Sequence, residues 1–442
     1  VGVPGLLKML EDAHLQHGKF SWQELFSPAI DLSENGFIVS ERLHTLLNKV
    51  PKLKERPTIK EYFFNDEGDA LEVGSINKNQ KYSDTLKLLS KFGSDYFYKG
   101  KLAKNIIKVV SEDQNSGSLT IQDFEEYEVK VREPICQFIF SYKICGMSAP
   151  SSGGSSVLSI LKMLEFLITE HSMKPGTKIE EDLLLAHFFI ESSRLAFSDR
   201  NTFVADPDFV DVPLIDMLDE KYLKSRAKLI NKKNILTDVR PGQFYSTKKN
   251  PVSTFSPEDT STTHISIVDA YGNIVSLTSS IETAFGSRLM VDGFLLNNQL
   301  TDFSFNPLHE SDHLVFNRVE GGKRPRSSMS PMIVFNLDDE PVMVLGSPGG
   351  KRIIPYVAGF ILDVLIMGRE AQESLFRTHI LQVDDRVEVE FGAPKNLVDE
   401  LQSIGHDPVL RDQTSGLHII QYDNNKLIGL ADPRREGTAK GG

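Results

Sequence analysis

The sequence predicts an α+β fold in which a mainly helical half precedes a strand-rich half. Apolar residues recur at helical spacing through most of the first 240 residues, for example at 22–35 and at 180–197. After residue 261 the pattern changes to alternation, first at 262–269 and then at 274–280. Helices that precede strands, rather than alternate with them, are typical of the α+β class.

The individual elements follow from local signals. The helix at 22–35 ends before Gly36, and a helix at about 156–169 follows the small-residue turn Pro150-Ser151-Ser152-Gly153-Gly154. The backbone amides of this turn could cap the helix or contact a ligand, and we favour capping. Residues 240–261 contain chain breakers and no periodicity, which predicts a mobile loop and a boundary. Residues 262–280 then form a predicted hairpin around Tyr271-Gly272-Asn273. Further strands are predicted at 293–298, 331–336, 341–346, 385–391, 417–423 and 426–431, with a turn at Asn424-Asn425 and a helix at 350–367.

Composition excludes some classes of protein. The 442 residues are 40% apolar and 25% charged, which suits a globular protein with its own core. The net charge of −12 argues against a nucleic-acid partner, because such partners favour a basic surface. No apolar run is long enough to predict a membrane span. The start at Val1-Gly2, without Met or a signal-like segment, indicates a chain trimmed at the front, so its location is unknown from the sequence.

Cys136 and Cys145 are the two cysteines of the chain. Two are too few for a disulfide framework or a convincing metal site. They could form one bridge or remain two buried thiols, and we favour the thiols.

Thr262 is the first candidate for chemistry. It opens a strand directly after the polar loop, in Thr262-Thr263-His264. A threonine at a chain terminus supplies both a nucleophilic hydroxyl and, in its own α-amine, a base. This catalytic role requires that the peptide bond between Ser261 and Thr262 is cut. The alternative is a pair of β-branched residues that simply favour a strand.

Gly346-Ser347-Pro348-Gly349-Gly350 is the second candidate, between a predicted strand and a predicted helix. Adjacent glycines at a helix N-terminus expose N–H groups that could form an oxyanion hole. They could also bind phosphate together with Lys351, although Arg352 stands where a nucleotide loop needs Ser or Thr. A simple tight turn is the third possibility.

The third candidate is a group of polar residues that suits an amino-acid substrate. Acidic and amide groups can bind an ammonium, and hydroxyl groups can bind a carboxylate. Each of these residues, taken singly, is more often a solvated or capping residue. The group comprises Glu282, Gln299, Asp302, Ser327 and Ser328.

The order of these motifs resembles the γ-glutamyltransferase family through nearly the whole chain. The motifs are Pro150-Ser151-Ser152-Gly153-Gly154, Asp206-Pro207-Asp208-Phe209-Val210, Thr262-Thr263-His264-Ile265-Ser266-Ile267-Val268-Asp269, Tyr271-Gly272-Asn273, Thr278-Ser279-Ser280-Ile281-Glu282, Phe285-Gly286, Leu295-Leu296-Asn297-Asn298-Gln299 with Asp302-Phe303, Lys323-Arg324-Pro325 with Ser327-Ser328-Met329-Ser330-Pro331, and Gly346-Ser347-Pro348-Gly349-Gly350.

The resemblance implies a four-layer αββα sandwich of the N-terminal nucleophile hydrolase type. It implies a precursor, cut before Thr262 into a large chain, residues 1–261, and a small chain, residues 262–442, that associate as one intertwined domain. Thr262 would attack γ-glutamyl amides such as glutathione, and water or an acceptor amino acid or peptide would release the γ-glutamyl group. We expect no cofactor and no metal, and the resemblance suggests a periplasmic or secreted protein.

The resemblance also assigns roles. Gly349 and Gly350 would hold the oxyanion, and Ser280 would support the nucleophile. Ser327 and Ser328 would bind the substrate α-carboxylate, while the acceptors Glu282, Gln299 and Asp302 would bind its α-ammonium.

Three departures from the family pattern are visible. Ser280 stands where the family usually has threonine, so the hydroxyl is kept without the methyl that fixes its rotamer. A front segment that carries a carboxylate-binding arginine has no match, and Arg132-Glu133-Pro134 resembles it only locally. Residues 303–322 allow only a shortened lid over the site.

Three alternative functions remain open from the sequence. A related acylase or poly-γ-glutamate depolymerase would use the same chemistry on another substrate. An uncleaved, non-catalytic relative would only bind or scaffold. A nucleotide binder would use residues 346–351.

Overall fold

The computed structural model describes residues 1–50, 52–177, 182–244, 261–307, 315–424 and 426–441. The chain forms two compact units. The first comprises Val1–Val131 and Ile281–Leu300, and the second comprises Arg132–Ser280 and Thr301–Gly442. Each unit is therefore built from two stretches that are separated along the chain.

The α-helices of the described residues are α1 (Leu6–His17), α2 (Trp22–Asn35), α3 (Glu41–Lys49), α4 (Pro57–Phe63), α5 (Gln80–Phe92), α6 (Asp95–Tyr98), α7 (Lys101–Ser111), α8 (Ile121–Glu125), α9 (Gly153–Glu170), α10 (Leu183–Phe203), α11 (Leu214–Met217), α12 (Glu220–Ala227), α13 (Ile353–Ile361), α14 (Ala371–Phe376) and α15 (Lys395–Ser403). Short 3₁₀ turns lie at Leu53–Glu55, Gln299–Asp302 and Gly350–Arg352, and a π-turn lies at Leu362–Ile366.

The strands of the described residues are β1 (Phe37–Ile38), β2 (Ile76–Asn77), β3 (Ile135–Ile139), β4 (Tyr142–Gly146), β5 (Thr263–Val268), β6 (Ile274–Ser279), β7 (Met290–Val291), β8 (Phe294–Leu295), β9 (Met332–Phe335), β10 (Pro341–Gly346), β11 (Ile380–Val383), β12 (Arg386–Glu390), β13 (Pro408–Arg411), β14 (His418–Asp423) and β15 (Lys426–Ala431).

The first unit contains α1 to α8 and the small pairs β1–β2 and β7–β8. Helix α2 begins at a capping box, in which Ser21 and Glu24 satisfy each other's backbone N–H groups. Two apolar clusters fill the unit, one around Phe97 and Ile106 and the other around Ile59. Side chains from the stretch 281–300 are buried in both clusters, which is why this late stretch belongs to the unit.

The second unit is built on a six-stranded sheet in the order β15-β14-β10-β9-β4-β3, in which every pair is antiparallel. Its largest core lies between one face of the sheet, with Leu345, and helices α9, α10 and α13. Successive side chains of a strand point to opposite faces. Gly346 therefore faces away from the helices, and His264 of β5 packs against it there.

The hairpin β5–β6 thus forms a second sheet layer within this unit. Its hydroxyls bond to the main sheet, since Ser276 Oγ donates to the Leu345 carbonyl at 3.2 Å and Ser266 Oγ donates to the His418 carbonyl at 3.0 Å. A three-stranded sheet, β11-β12-β13, completes the strands of the unit, with β12 and β13 parallel. The helices α9, α10 and α13, the six-stranded sheet and the hairpin β5–β6 are thus three successive layers of the predicted sandwich.

The predicted strands at 341–346 and 426–431 have the observed bounds of β10 and β15, and the hairpin at 262–280 is confirmed. The predicted strand at 293–298 is confined to the two residues of β8, which pairs with β7, and the predicted helix at 350–367 changes from 3₁₀ to α to π geometry along its length. Parts of the predicted loop at 240–261, the lid at 303–322 and the Asn424-Asn425 turn lie outside the described residues.

The expectation of two free thiols is wrong. Cys136 and Cys145 form a disulfide, with Cα atoms 4.1 Å apart. The cause is the register of the β3–β4 hairpin, which places the two residues directly opposite each other. Sequence reasoning had not identified this hairpin, so the pairing could not be anticipated.

Across the parts of the chain that the structure covers, the helices are each too short or too polar for a membrane crossing.

Candidate active site

Thr262 immediately precedes β5, and the β5–β6 register places it beside Ser280 at the end of β6. Thr262 Oγ1 donates to Ser280 Oγ at 3.3 Å, and Ser280 Oγ donates to the Ser261 carbonyl oxygen at 2.8 Å. Two hydroxyls are therefore aligned on the peptide bond between Ser261 and Thr262. This geometry places two hydroxyl groups, one of them a hydrogen-bond donor to the carbonyl, at the predicted cleavage site.

Arg435, near the end of the chain, contacts the other side of the same residue. Its Nη1 donates to the Thr262 carbonyl at 3.3 Å and its Nε to the Thr414 carbonyl at 2.8 Å. The backbone of Thr262 is thus held both by its hairpin and by the C-terminal segment. Arg435 was not predicted from the sequence, because no local pattern connects it with Thr262, which is 173 residues away along the chain.

His264 connects β5 to the glycine loop. Its ring is 2% exposed, with Nδ1 2.7 Å from Thr278 Oγ1 and Nε2 3.1 Å from Ser266 Oγ. A Cβ on Gly346 would lie only 2.2 Å from the ring, so this glycine is required for the close approach. Burial, and to a lesser degree His418, lowers the pKa of His264 to about 3. His264 is therefore neutral at pH 7 and acts as a packing and hydrogen-bonding group.

The glycine loop follows β10 and leads into a helical segment. Gly349 and Gly350 are buried and have φ values of +142° and +60°, a conformation that favours glycine over residues with a Cβ. Ser347 fixes the loop, since its Oγ donates to the Pro348 carbonyl at 2.7 Å and accepts from Gly416 N–H at 3.1 Å. Paired glycines at the start of α13 and its preceding turn suit an anion.

Lys351 does not support the phosphate-loop alternative. Its Nζ lies 2.6 Å from Asp384 Oδ2, and its side chain is 6% exposed. The next residue, Arg352, binds Glu388, with Nε 2.6 Å from Oε2. Both cations that follow the glycines are held by carboxylates, whereas a nucleotide loop uses its lysine on phosphate.

The serine pair lies against the small-residue motif of the first half. Ser152 N–H and Ser152 Oγ both donate to the Ser327 carbonyl, each at 2.7 Å. A Cβ on Gly153 would lie 2.2 Å from Ser330 Oγ, so the motif needs glycine for this close packing. Helix α9 begins at Gly153 without a side-chain cap. The motif at 150–154 therefore supports the serine pair, a role that sequence reasoning did not assign.

Helix α10 holds the serine pair from a second side. The fully buried Arg200 donates from Nη2 to Ser328 Oγ, from Nε to Ser152 Oγ at 2.8 Å and from Nη1 to Asn201 Oδ1 at 2.7 Å. Arg326 Nη1 donates to the carbonyls of Arg200 and Asn201, each at 3.1 Å. The serine pair is thus tied to the end of α10 through side chains and backbone.

Asp206, just beyond α10, anchors the segment that precedes the serine pair. Its Oδ2 accepts from Arg324 N–H at 2.8 Å, and its Oδ1 lies 3.2 Å from Arg132 Nη2. Arg132 also binds Asp208 at 2.7 Å. Arg132, which resembles the family's substrate-binding arginine only locally, therefore belongs to an ion-pair network behind this segment.

The three predicted ammonium-binding residues fall in different units. Glu282 and Gln299 belong to the first, and Asp302 belongs to the second. Glu282 is 5% exposed, accepts from Asn298 Nδ2 and has φ +76°, which is unusual for a residue with a Cβ. Gln299 N–H donates to Asn297 Oδ1 at 3.0 Å. Asp302 is 4% exposed, and its carbonyl accepts from Asn317 Nδ2 at 2.8 Å.

Within the second unit the structure thus gives two groupings of predicted residues. Thr262, Ser280 and the loop with Gly349 and Gly350 are connected through the contact of His264 with Gly346. Ser327 and Ser328 form the other group, held by α9 and α10.

A buried cluster of His187, Glu191 and His406 has potential ligand atoms within 4.8 Å of one another. His187 Nδ1 lies 2.8 Å from His406 Nε2, and His187 Nε2 lies 2.7 Å from the Asn231 carbonyl. Glu191 accepts from Arg194 Nη1 at 2.7 Å. Burial first, then His187 and Arg194, lowers the pKa of His406 to about 3. These contacts are those of a hydrogen-bonded core network that fastens α10.

The fold is that of the N-terminal nucleophile hydrolases. Among solved structures, cephalosporin acylase from Bacillus halodurans matches with a TM-score of 0.78 at 22% identity, covering 97% of this chain and 75% of that chain. Helicobacter pylori gamma-glutamyltranspeptidase matches with a TM-score of 0.51 at 28% identity, covering 56% of this chain and 70% of that chain. These likenesses confirm the predicted α+β class and its αββα sandwich.

The chain belongs to the gamma-glutamyltranspeptidase family, whose model matches residues 1–442. The glutathione hydrolase proenzyme of Bacillus subtilis (strain 168) is 34% identical, covering 100% of this chain and 74% of that protein. The protein of the same name from Escherichia coli (strain K12) is 31% identical, covering 98% of this chain and 73% of that protein. The predicted family is confirmed, and the chain is an enzyme of this type.

Proposed function

We propose that this chain is a γ-glutamyl hydrolase or transferase that cuts itself before Thr262 and then cleaves γ-glutamyl amides such as glutathione. The names of its relatives, glutathione hydrolase proenzymes, support both the substrate and the processing. The single observation that carries the proposal is the pair of hydroxyls, Thr262 Oγ1 and Ser280 Oγ, on the Ser261–Thr262 peptide bond.

Self-cleavage begins when Thr262 Oγ1 attacks the carbonyl carbon of Ser261. Ser280 Oγ, which already donates to that carbonyl oxygen, stabilises the negative charge that develops there. The C–N bond then breaks, the acyl group moves to the threonine oxygen as an ester, and the nitrogen gains the proton that the Thr262 hydroxyl gives up. Water hydrolyses the ester, which leaves a carboxylate on Ser261 and a free α-amine on Thr262.

The same residue then performs turnover. The α-amine of Thr262 takes the hydroxyl proton as the oxygen attacks the γ-carbonyl carbon of the substrate. The N–H groups of Gly349 and Gly350 hold the resulting oxyanion, and their buried position removes competition from water. The amine product leaves with a proton, and water or an acceptor amine then releases the γ-glutamyl group.

Substrate recognition uses the two ends of the glutamyl amino acid. The hydroxyls of Ser327 and Ser328 bind the α-carboxylate as donors. Glu282, Gln299 and Asp302 bind the α-ammonium, for which carboxylates are suited. The burial of Glu282 and Asp302 supports this role, because buried carboxylates strengthen a bond to a cation.

The test is to compare the chain with its Thr262→Ala variant on a denaturing gel and in hydrolysis of a γ-glutamyl anilide. We expect two bands, for residues 1–261 and 262–442, and hydrolysis from the parent chain. The variant should remain one band without activity, because it lacks the attacking oxygen.

A parent chain that stays whole and leaves the anilide intact would contradict the proposal. Glutaryl amides and poly-γ-glutamate in the same assay separate the related acylase and depolymerase activities. Preference for either of them over the anilide and glutathione would replace the proposed substrate but keep the chemistry.

A further inference from the structure

Glu388, on strand β12, is 2% exposed and binds Arg352, the last residue of the turn that follows the glycine loop. We propose that Glu388 is a positioning residue that fixes the directions of the Gly349 and Gly350 N–H groups. The inference deepens the proposed function and rests on its assignment of those two N–H groups to the oxyanion.

Two adjacent glycines do not hold one backbone geometry by themselves. A glycine has no Cβ and adopts a wide range of φ and ψ angles, and both glycines here have positive φ. An oxyanion hole requires donors that are fixed before the reaction begins. Before the glycines, Ser347 supplies a restraint through its bonds to the Pro348 carbonyl and to Gly416 N–H. A second restraint is needed on the side that follows them.

Arg352 connects the glycine turn to Glu388. Its backbone N–H donates to the Gly349 carbonyl at 3.3 Å across the 3₁₀ turn Gly350–Arg352. Its guanidinium binds Glu388 through two bonds, from Nε to Oε2 at 2.6 Å and from Nη2 to Oε1 at 2.7 Å. Such bidentate pairing fixes the plane of the guanidinium as well as its position. The turn is therefore fastened to β12 at its last residue.

Lys351, the middle residue of the turn, is bound to the same hairpin. Its Nζ lies 2.6 Å from Asp384 Oδ2, in the connection between β11 and β12. The Lys351 side chain is 6% exposed, so water competes little for this ion pair. Both residues that follow the glycines are thus anchored to carboxylates of one hairpin.

Tyr356 on α13 gives Glu388 a second connection, to Gly349. A Cβ on Gly349 would lie 2.9 Å from Tyr356 Cε2, which shows that the ring packs against this glycine. The Tyr356 hydroxyl donates to Gln413 Oε1 at 2.7 Å, and Gln413 Nε2 donates to Glu388 Oε2 at 3.3 Å. Glu388 consequently acts on the glycine pair through Gln413 and Tyr356 as well as through Arg352.

These contacts require the ionised form of Glu388. Burial acts to raise its pKa, but the hydrogen bond and charge of Arg352 and the charge of Arg411 outweigh burial and hold the pKa below its ordinary value. Glu388 is therefore a carboxylate at pH 7. Glutamine at this position keeps the size but replaces one acceptor oxygen with an NH₂ group, which cannot accept from an arginine.

The test compares the parent chain with Glu388→Gln in self-cleavage and in hydrolysis of a γ-glutamyl anilide. We expect kcat to fall about tenfold or more with little change in KM, because misdirected donors weaken binding of the transition state alone. Self-cleavage should keep the parent rate, because its oxyanion is bound by Ser280 instead. A variant that cuts itself normally is folded, so a purely structural role of Glu388 would not produce this pattern.

Glu191→Gln is the matched control. Glu191 is also a buried glutamate that pairs with an arginine, Arg194 Nη1 at 2.7 Å, but both residues lie on α10 and neither belongs to the glycine turn. Its kcat should stay close to that of the parent chain.

Two ligands provide a second readout that needs no turnover. The probe 2-amino-4-boronobutanoate has a boronic acid in place of the γ-carboxyl group of glutamate. Its boron bonds to Thr262 Oγ1 and becomes a tetrahedral anion while the hydroxyl proton passes to the α-amine, whereas L-norvaline has no such group. Glu388→Gln should weaken the boronate about tenfold and leave norvaline unchanged, because the boronate alone resembles the transition state.

An unchanged kcat, self-cleavage slowed as much as turnover, or equal losses for both ligands would each overturn the inference. A parent chain that neither cuts itself nor hydrolyses the anilide would overturn the proposed function and the inference with it. An active parent beside an unaffected Glu388→Gln variant would overturn the inference alone. If Glu388→Gln does not fold, Asp384→Asn, which weakens the hold on Lys351, must lower kcat and boronate affinity in the same selective way.

Discussion

Ser280 is the residue on which the proposed self-cleavage depends after Thr262 itself. Its hydroxyl accepts from Thr262 Oγ1 and donates to the carbonyl oxygen of Ser261. Ser280→Ala removes the hydrogen-bond donor at the developing oxyanion. We expect self-cleavage to slow at least about 100-fold, which is typical when an enzyme loses one oxyanion-hole donor. Ser280→Thr keeps the hydroxyl and restricts its rotamer, so cleavage should be at least as fast as in the parent chain.

A time course on denaturing gels measures both rates. Ser279→Ala is the matched control, because the preceding side chain on β6 points to the opposite face of the strand. Equal cleavage rates for the alanine variant and the parent would remove Ser280 from the mechanism.

At the scale of single residues, the sequence reveals Thr262 but not the residues that hold it. Thr262 is conspicuous because an isolated polar loop ends there and an alternating strand begins. No local sequence pattern identifies Arg200 and Arg435, because their partners Ser328 and Thr262 are 128 and 173 residues distant along the chain. Only the folded backbone brings such groups together.

At the scale of elements, the hairpin β5–β6 is set against the main sheet by a buried histidine. Burial lowers the pKa of His264 to about 3 in the folded state, whereas an exposed histidine titrates near 6.5. Below pH 6.5 the unfolded chain therefore binds a proton that the folded chain does not. The contribution of His264 to stability is complete above pH 6.5 and decreases as the pH falls toward 3.

The expected result is a pH-dependent difference between the parent chain and His264→Gln. The free energy of unfolding of the uncut Thr262→Ala protein should fall between pH 6.5 and 4.5, with His264 contributing about 1.4 kcal/mol per pH unit. When His264→Gln is added to Thr262→Ala, the free energy of unfolding should change less steeply with pH, because the contribution of His264 is gone. Burial also lowers the pKa values of His379 and His406, but both residues remain in both proteins. Urea unfolding at several pH values measures the slopes, and identical slopes would show that His264 is not neutral and buried as described.

Elements with strong local patterns are predictable, and elements defined by long-range packing are not. The strands β10 and β15 are short, mainly apolar runs bounded by turn residues, so their bounds follow from the sequence. The β3–β4 hairpin is short and lies in a half that reads as helical, so its strands and the Cys136–Cys145 bridge were missed. The last turns of the helix after Gly350 depend on tertiary packing, which propensity does not encode.

At the scale of the whole molecule, the six-stranded sheet contains strands from both sides of the proposed cut. β4, from residues 142–146, pairs with β9, from residues 332–335, in continuous antiparallel register. Helices α9 and α10, which precede the cut, bury the core against strands that follow it. Cleavage at Ser261–Thr262 should consequently leave both products in one particle.

Size-exclusion chromatography of the cut protein in native buffer should give a single peak that contains both chains, and urea should separate them. The uncut Thr262→Ala protein should elute at the same volume, because the cut removes no part of the sheet. Elution of the two chains apart in native buffer would contradict the shared sheet.

The shared sheet also determines what happens after denaturation. An intact polypeptide regains the β4–β9 pairing by a unimolecular search, because the tether keeps both halves at a high effective concentration. Once severed, the halves must meet by diffusion, so recovery depends on dilution and the melting point rises with protein concentration. The polypeptide must therefore fold before it is cut. Once the cut protein has unfolded at low concentration, its two chains do not reassemble efficiently.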